Sequence, residues 1–120
     1  MEQEQYVGEL QSRWPRGPTH SEPTQATLHL ANVAVQKFPM SAKLWIMRGN
    51  LLELSSFETC LPFSEPARCY RIAIKLDPFN IEAYEDLAWF LDAVLGNRRK
   101  AKSLFDKARR LRNSARRRKI

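Results

Sequence analysis

Pro39, Pro78 and Asn113 each close a helix-patterned stretch, at separations of 39 and 35 residues. Recurrence on this scale constrains the fold more than composition does. A helical unit so short cannot bury its apolar face alone and gains a core only by stacking on its neighbours. In the first stretch Leu28, Ala31, Val35 and Phe38 recur at steps of three and four, the spacing of one helix face, and Pro39 stops it. Ser21-Glu22-Pro23 reads as its start, with Ser as the cap, Glu at the positive helix end and Pro in the first turn, where it sacrifices no hydrogen bond. The tripeptide recurs as Ser64-Glu65-Pro66 and opens a helix with Ala67, Tyr70, Ala73 and Ile74 on one face, ending at Asp77-Pro78.

Ser41 is placed to cap a helix from Ala42 to Leu54, with Leu44, Trp45, Met47, Leu51 and Leu52 available for packing. Another is expected from Ile81 to Leu95, with Tyr84, Leu87, Ala88 and Leu91 on one stripe, closed by Gly96-Asn97 as a left-handed cap. The last starts near Arg98 and aligns Ala101, Leu104, Phe105, Ala108 and Leu111. Tyr6, Val7 and Leu10 suit a short helix, followed by an irregular link at Trp14-Pro15-Arg16-Gly17-Pro18. The expected fold class is all-α: a poorly defined segment 1–20, a helical domain over 21–113, and a basic tail over 114–120.

The chain resembles the tetratricopeptide repeats, whose pattern is W-x2-L-G-x2-Y, then A-x3-F, then P. In the first full repeat Trp45 and Gly49 stand at the Trp and Gly positions, Arg48 replaces the Leu and Leu52 the Tyr. Ala67 to Pro78 is similar to the repeat's second helix, with Pro66 where a small Ala is usual. In the second, Tyr84 takes the aromatic position, Leu87 matches, Ala88 replaces Gly, Leu91 replaces Tyr, Ala101-x3-Phe105 matches, and Asn113 replaces the closing Pro. Thr24 to Pro39 resembles the second helix of a degenerate earlier repeat. The period of the family is 34 residues, and the five extra residues in the first interval fit the stretch Ser55 to Phe63. The resemblance implies a right-handed stack of antiparallel helix pairs and a scaffold that binds protein segments; it does not name the segment.

Charge is unevenly divided. The net charge of +7 resolves into +11 over residues 96–120 and −4 over residues 1–95. With 43% hydrophobic and 28% charged residues the chain is neither low-complexity nor disordered in composition. No apolar run is long enough to span a bilayer, and two cysteines make no disulfide framework, so a cytoplasmic protein with free thiols is expected. Nothing in the sequence has the form of a phosphate-cradling Gly-rich loop, a nucleophile elbow or a metal-ligand cluster, and the expectation is no enzyme, no cofactor and no metal.

Two candidate sites remain. On the helix from Ile81, Glu82, Glu85, Asp86, Trp89 and Asp92 share one face opposite Tyr84, Leu87 and Leu91. By resemblance that face lines the concave groove, to which the preceding helix adds Lys43, Ile46, Met47, Asn50 and Glu53. An acidic groove with an aromatic platform suits an Arg or Lys on a bound segment. Some members of the family clamp acidic chaperone tails there with Lys, Arg and Asn; Asn50 matches one such position, but Ile46 and Asp86 replace a Lys and a second Asn, so the charge sign is wrong for that role. The second candidate is the basic end, with Arg109, Arg110, Arg112, Arg116, Arg117, Arg118 and Lys119 as contacts to RNA, DNA or an anionic membrane, without interleaved aromatics to stack bases. That tail either stays solvated, as the acidic face does, or docks in the groove of its own or a neighbouring molecule, and a monomer or weak homodimer is the expected state.

Overall fold

The computed structural model describes residues 1–15, 22–55 and 59–118. It is all-helical, with α1 (Gln3–Ser12), α2 (Gln25–Lys37), α3 (Ala42–Leu54), α4 (Glu65–Leu76), α5 (Ile81–Ala93) and α6 (Arg98–Arg118). Among the described residues there is no strand.

Short polar side chains set most of the helix starts. Ser41 Oγ accepts from the Leu44 N–H at 3.3 Å, and Asn80 Oδ1 accepts from the Ala83 N–H at 3.1 Å. α1 begins with a reciprocal box, in which the Glu2 N–H donates to Gln5 Oε1 at 2.6 Å and the Glu2 side chain returns the contact. α2 starts later than expected: its cap is Thr24, whose Oγ1 accepts from the Thr27 N–H at 3.1 Å. Thr24 is extended and already past Pro23, so the proline precedes the helix, and Ser21 lies outside the described residues. In the second copy of the tripeptide Glu65 and Pro66 do form the first turn of α4, but Ser64 makes no side-chain cap bond.

α5 ends at Ala93, two residues short of the expected Leu95. Gly96 adopts φ +66°, which turns the chain so that the Asn97 N–H reaches the Leu91 carbonyl at 2.7 Å. α6 runs past Asn113 to Arg118, beyond the point where the apolar pattern stops. Arg and Ala are strong helix formers, and Asn without a following Gly or Pro does not stop a helix already begun.

α1, α3 and α5 begin at Gln3, Ala42 and Ile81, an interval of 39 residues each time, and an aromatic residue stands at the same step of each: Tyr6, Trp45 and Tyr84. Trp45 Nε1–H donates to the Pro39 carbonyl at 2.8 Å and the Tyr84 hydroxyl to the Pro78 carbonyl at 2.9 Å. The Ser41 and Asn80 N–H groups reach the Phe38 and Asp77 carbonyls, both at 3.1 Å. One turn is thus built twice. Tyr6 instead packs edge-on against Phe38, ring centroids 6.0 Å apart.

Each helix packs on the next in the chain, and α3 also meets α5. Two apolar cores result, and α3 belongs to both. Leu44, Met47 and Leu51 join Tyr6, Val7 and Leu10 of α1 and Leu28, Ala31, Ala34 and Val35 of α2. Ile46 joins Ala67, Tyr70 and Ala73 of α4, Leu87, Ala88 and Phe90 of α5, and Ala101 of α6. Gly49 permits the closest crossing: a Cβ there would lie 2.6 Å from Tyr70 Cε1, in a ring with no solvent exposure.

Candidate functional site

Two turns of α3 and the first turn of α5 line a groove of about 620 Å³, bordered by Gln11 and Trp14 at the end of α1. Lys43, Ile46, Met47 and Asn50 come from α3 and Glu82 from α5. The α1 contribution was not foreseen, although Tyr6, Trp45 and Tyr84 carry the regular spacing that places α1 beside α3.

Asn50 is the centre of a polar relay across three helices. Its Nδ2 donates to Asp86 Oδ2 at 3.0 Å and to the Tyr70 hydroxyl at 2.9 Å, and that hydroxyl donates to Glu53 Oε2. Burial pushes the Asp86 carboxyl above its ordinary range; the Asn50 bond opposes this, and the nearby Glu82 and Glu85 charges reinforce it. Glu53 is raised too, by burial, against the Tyr70 bond and with help from Asp86. The Tyr70 phenol is held far above its usual range, by burial and then by Glu53, and stays a neutral donor. Among the described residues Glu53, Glu82 and Asp86 have no ion-pair partner.

The acidic stripe of α5 does not act as one face. Glu82 and Asp86 turn toward α3, while Glu85 pairs with Arg112 at 3.0 Å and Asp92 lies 3.8 Å from Arg98. The stripe is broad, because residues stepping by three and one spread over a third of a turn, and the basic side chains of α6 draw its far edge away. Trp89 stays 60% exposed and stands edge-on to Phe105, centroids 5.1 Å apart. Ile46, where the chaperone-tail clamp has a lysine, is buried, and Asn50 is committed to Tyr70 and Asp86.

On α6, Arg109 is tied to Asp106 at 2.5 Å and Arg112 to Glu85. Arg110, Arg116 and Arg117 are exposed without an ion pair among the described residues. Arg118 is the last helical residue, and Lys119 lies outside the described residues. Residues 114–118, expected as an extended tail, are the last turn of α6.

A second polar cluster lies on the α2 side of α3 and had no local sequence signal. Arg48, 7% exposed, donates through Nε to Asn32 Oδ1 at 2.7 Å and through Nη1 to Glu65 Oε2 at 2.6 Å and Cys69 Sγ at 2.9 Å. Arg68 holds the other Glu65 oxygen at 3.0 Å. Burial would raise Glu65, but hydrogen bonds from Arg48 and Arg68 prevail and hold it below the ordinary Glu range. Burial lifts the Cys69 thiol despite Arg48, which keeps it protonated and a poor nucleophile. His29 lines a pocket of about 320 Å³ in front of Arg48. Both cysteines are free, Cys60 exposed and Cys69 buried. Among the described residues no group of His, Cys, Asp or Glu has metal-site geometry, and no helix is long and apolar enough to cross a membrane. No protein-family model matches the chain, and no curated protein matches it.

Proposed function

We propose that the chain is a tetratricopeptide-like, right-handed stack that serves as a non-catalytic, cytoplasmic adaptor, binding a basic protein segment in the groove between α1, α3 and α5. The observation that carries this reading is a set of carboxylates without an ion-pair partner among the described residues: Glu82 lines the groove, Asp86 accepts from the groove residue Asn50, and Glu53 follows one turn on along α3, while Glu85 and Asp92 already face arginines and Lys43, also in the lining, pairs with none of the three. A Lys or Arg side chain from outside supplies the missing charge and, further along α5, meets Trp89. Support for the stack comes from the repeated Trp45–Pro39 and Tyr84–Pro78 bonds and the common interval of α1, α3 and α5.

Fluorescence anisotropy with a labelled hexa-arginine peptide tests the reading. Wild type binds at low salt, and Glu82→Gln with Asp86→Asn weakens binding at least tenfold; an unchanged affinity would contradict it.

The exposed, unpaired Arg110, Arg116 and Arg117 favour a second reading, polyanion binding by α6. It requires affinity for single-stranded RNA that falls steeply with salt and is lost when these three are replaced by Glu.

A further inference from the structure

Beyond Glu82 and Asp86, the C-terminal ends of α3 and α5, the first turn of α4 and the connection before it enclose an apolar recess. We infer that the groove reads a bipartite segment: a Lys or Arg at Glu82 and Asp86, and an aromatic or leucine side chain about two to five residues away, seated in that recess. The inference rests on the groove reading above and adds the specificity that charge alone does not give.

The recess measures about 380 Å³ and is lined by Leu52, Leu61, Pro62, Phe63, Phe90 and Val94, with Glu53 and the first-turn residues Glu65 and Pro66 of α4 at its rim. Phe90 forms its floor as a core residue, and Phe63, 71% exposed, stands over it with ring centroids 6.4 Å apart. Leu61 and Val94 in its lining are exposed as well. A concentration of apolar side chains at one edge differs from the scattered exposed residues of an ordinary surface and marks a contact site.

Position argues for a peptide that also enters the groove. Asn50 lines the groove and Glu53, one turn later on α3, lines the recess; on α5, Glu82 lines the groove and Phe90 and Val94 the recess. The two are successive stations along α3 and α5, the first turn of α4 completing the second, and they are joined by the relay through Asn50, Tyr70, Glu53 and Asp86. The absence of any cation at Glu53 and Asp86 selects a basic occupant by charge complementarity. Asp86 to Phe90 is about 6 Å along the helix and Glu82 to Val94 about 18 Å. At about 3.3 Å per residue for an extended segment, this gives the spacing of about two to five residues. The recess owes its outer wall to Leu61, Pro62 and Phe63, in the long connection between α3 and α4; the connection between α5 and α6 supplies no equivalent.

The test is selection from a randomised twelve-residue display library on the intact protein, followed by affinity measurement of the enriched peptide on variants with wild-type melting curves. The inference expects Lys or Arg paired with Phe, Trp, Tyr or Leu at that spacing, and at least tenfold weaker binding for Phe63→Asp, for Val94→Asp and for Asp86→Asn. Basic peptides sensitive to Asp86→Asn but unmoved by both Phe63→Asp and Val94→Asp would overturn the bipartite inference and leave the acidic groove standing. Enriched peptides indifferent to Asp86→Asn, or no enrichment, would overturn both. A concentration-dependent dimer abolished by Phe63→Asp would assign the recess to a second copy of the chain and overturn the peptide occupant.

Discussion

The two sides of α3 each bury a polar cluster against α4, and they are built to opposite electrical designs. Toward α2, Arg48 sits between Asn32, Glu65 and Cys69, and every charge has a partner. Toward α5, Asn50 and Tyr70 join two carboxylates with neutral donors alone, and no cation enters. A neutral donor satisfies the geometry of a carboxylate but not its charge. The first cluster therefore locks helices together, whereas the second holds them together and leaves negative charge for an outside partner.

The contrast is broken most severely from the locked side. Glu65→Ala strands a buried guanidinium and is expected to cost about 3–5 kcal/mol, read as a lower urea midpoint. Replacing Arg48 and Glu65 together by Leu is expected to recover most of that loss, since an apolar pair of similar volume does not need the ion pair. A double variant as unstable as the single one would mean that the charges, not the packing, position α4.

Gly49→Ala is next. The added methyl overlaps the Tyr70 ring, which the Asn50 and Glu53 bonds keep from moving aside, and about 1–3 kcal/mol is expected. Asn50→Ala is milder, about 1 kcal/mol, because Tyr70 still donates to Glu53 while Asp86 loses its donor.

Why some of this was legible in the sequence and some not follows from range. Ser41 fixed the start of α3 because its hydroxyl, the N–H it caps and Pro39 all lie within six residues. Gly96 was legible for the same reason. Ser21-Glu22-Pro23 misled because Thr24, three residues on, offers an equal hydroxyl with the proline already behind it. The Arg48–Glu65 pair joins residues on different helices, and the only trace was an arginine where the resemblance expects leucine. The division of Glu82, Glu85, Asp86 and Asp92 into paired and unpaired acids depends on where α6 lays Arg98 and Arg112, which no single-helix pattern contains.

The smallest expected effect is the pH response, and its sign differs between the clusters. Glu65 lies below its unfolded value, so its stabilisation is present above that value and is lost as pH falls through its depressed folded value. Asp86 and Glu53 lie above theirs, so their contribution is complete below the unfolded values and is lost as pH rises through the raised ones. Asp86→Asn should therefore flatten the part of the stability–pH curve that falls with rising pH and leave the acid limb set by Glu65 unchanged. A curve identical to wild type would contradict the placement of Asp86.

Nuclear magnetic resonance titration of the protein with hexa-arginine asks whether the α5 side of α3 holds charge for an outside cation while the α2 side does not. Shifts are expected in the Asn50 side-chain amide and the Trp14 indole, which border the groove, with the Trp45 indole held on the Pro39 carbonyl and the Asn32 amide beside Arg48 unmoved. Equal shifts on both sides of α3, or none at Asn50 at saturating peptide, would contradict it.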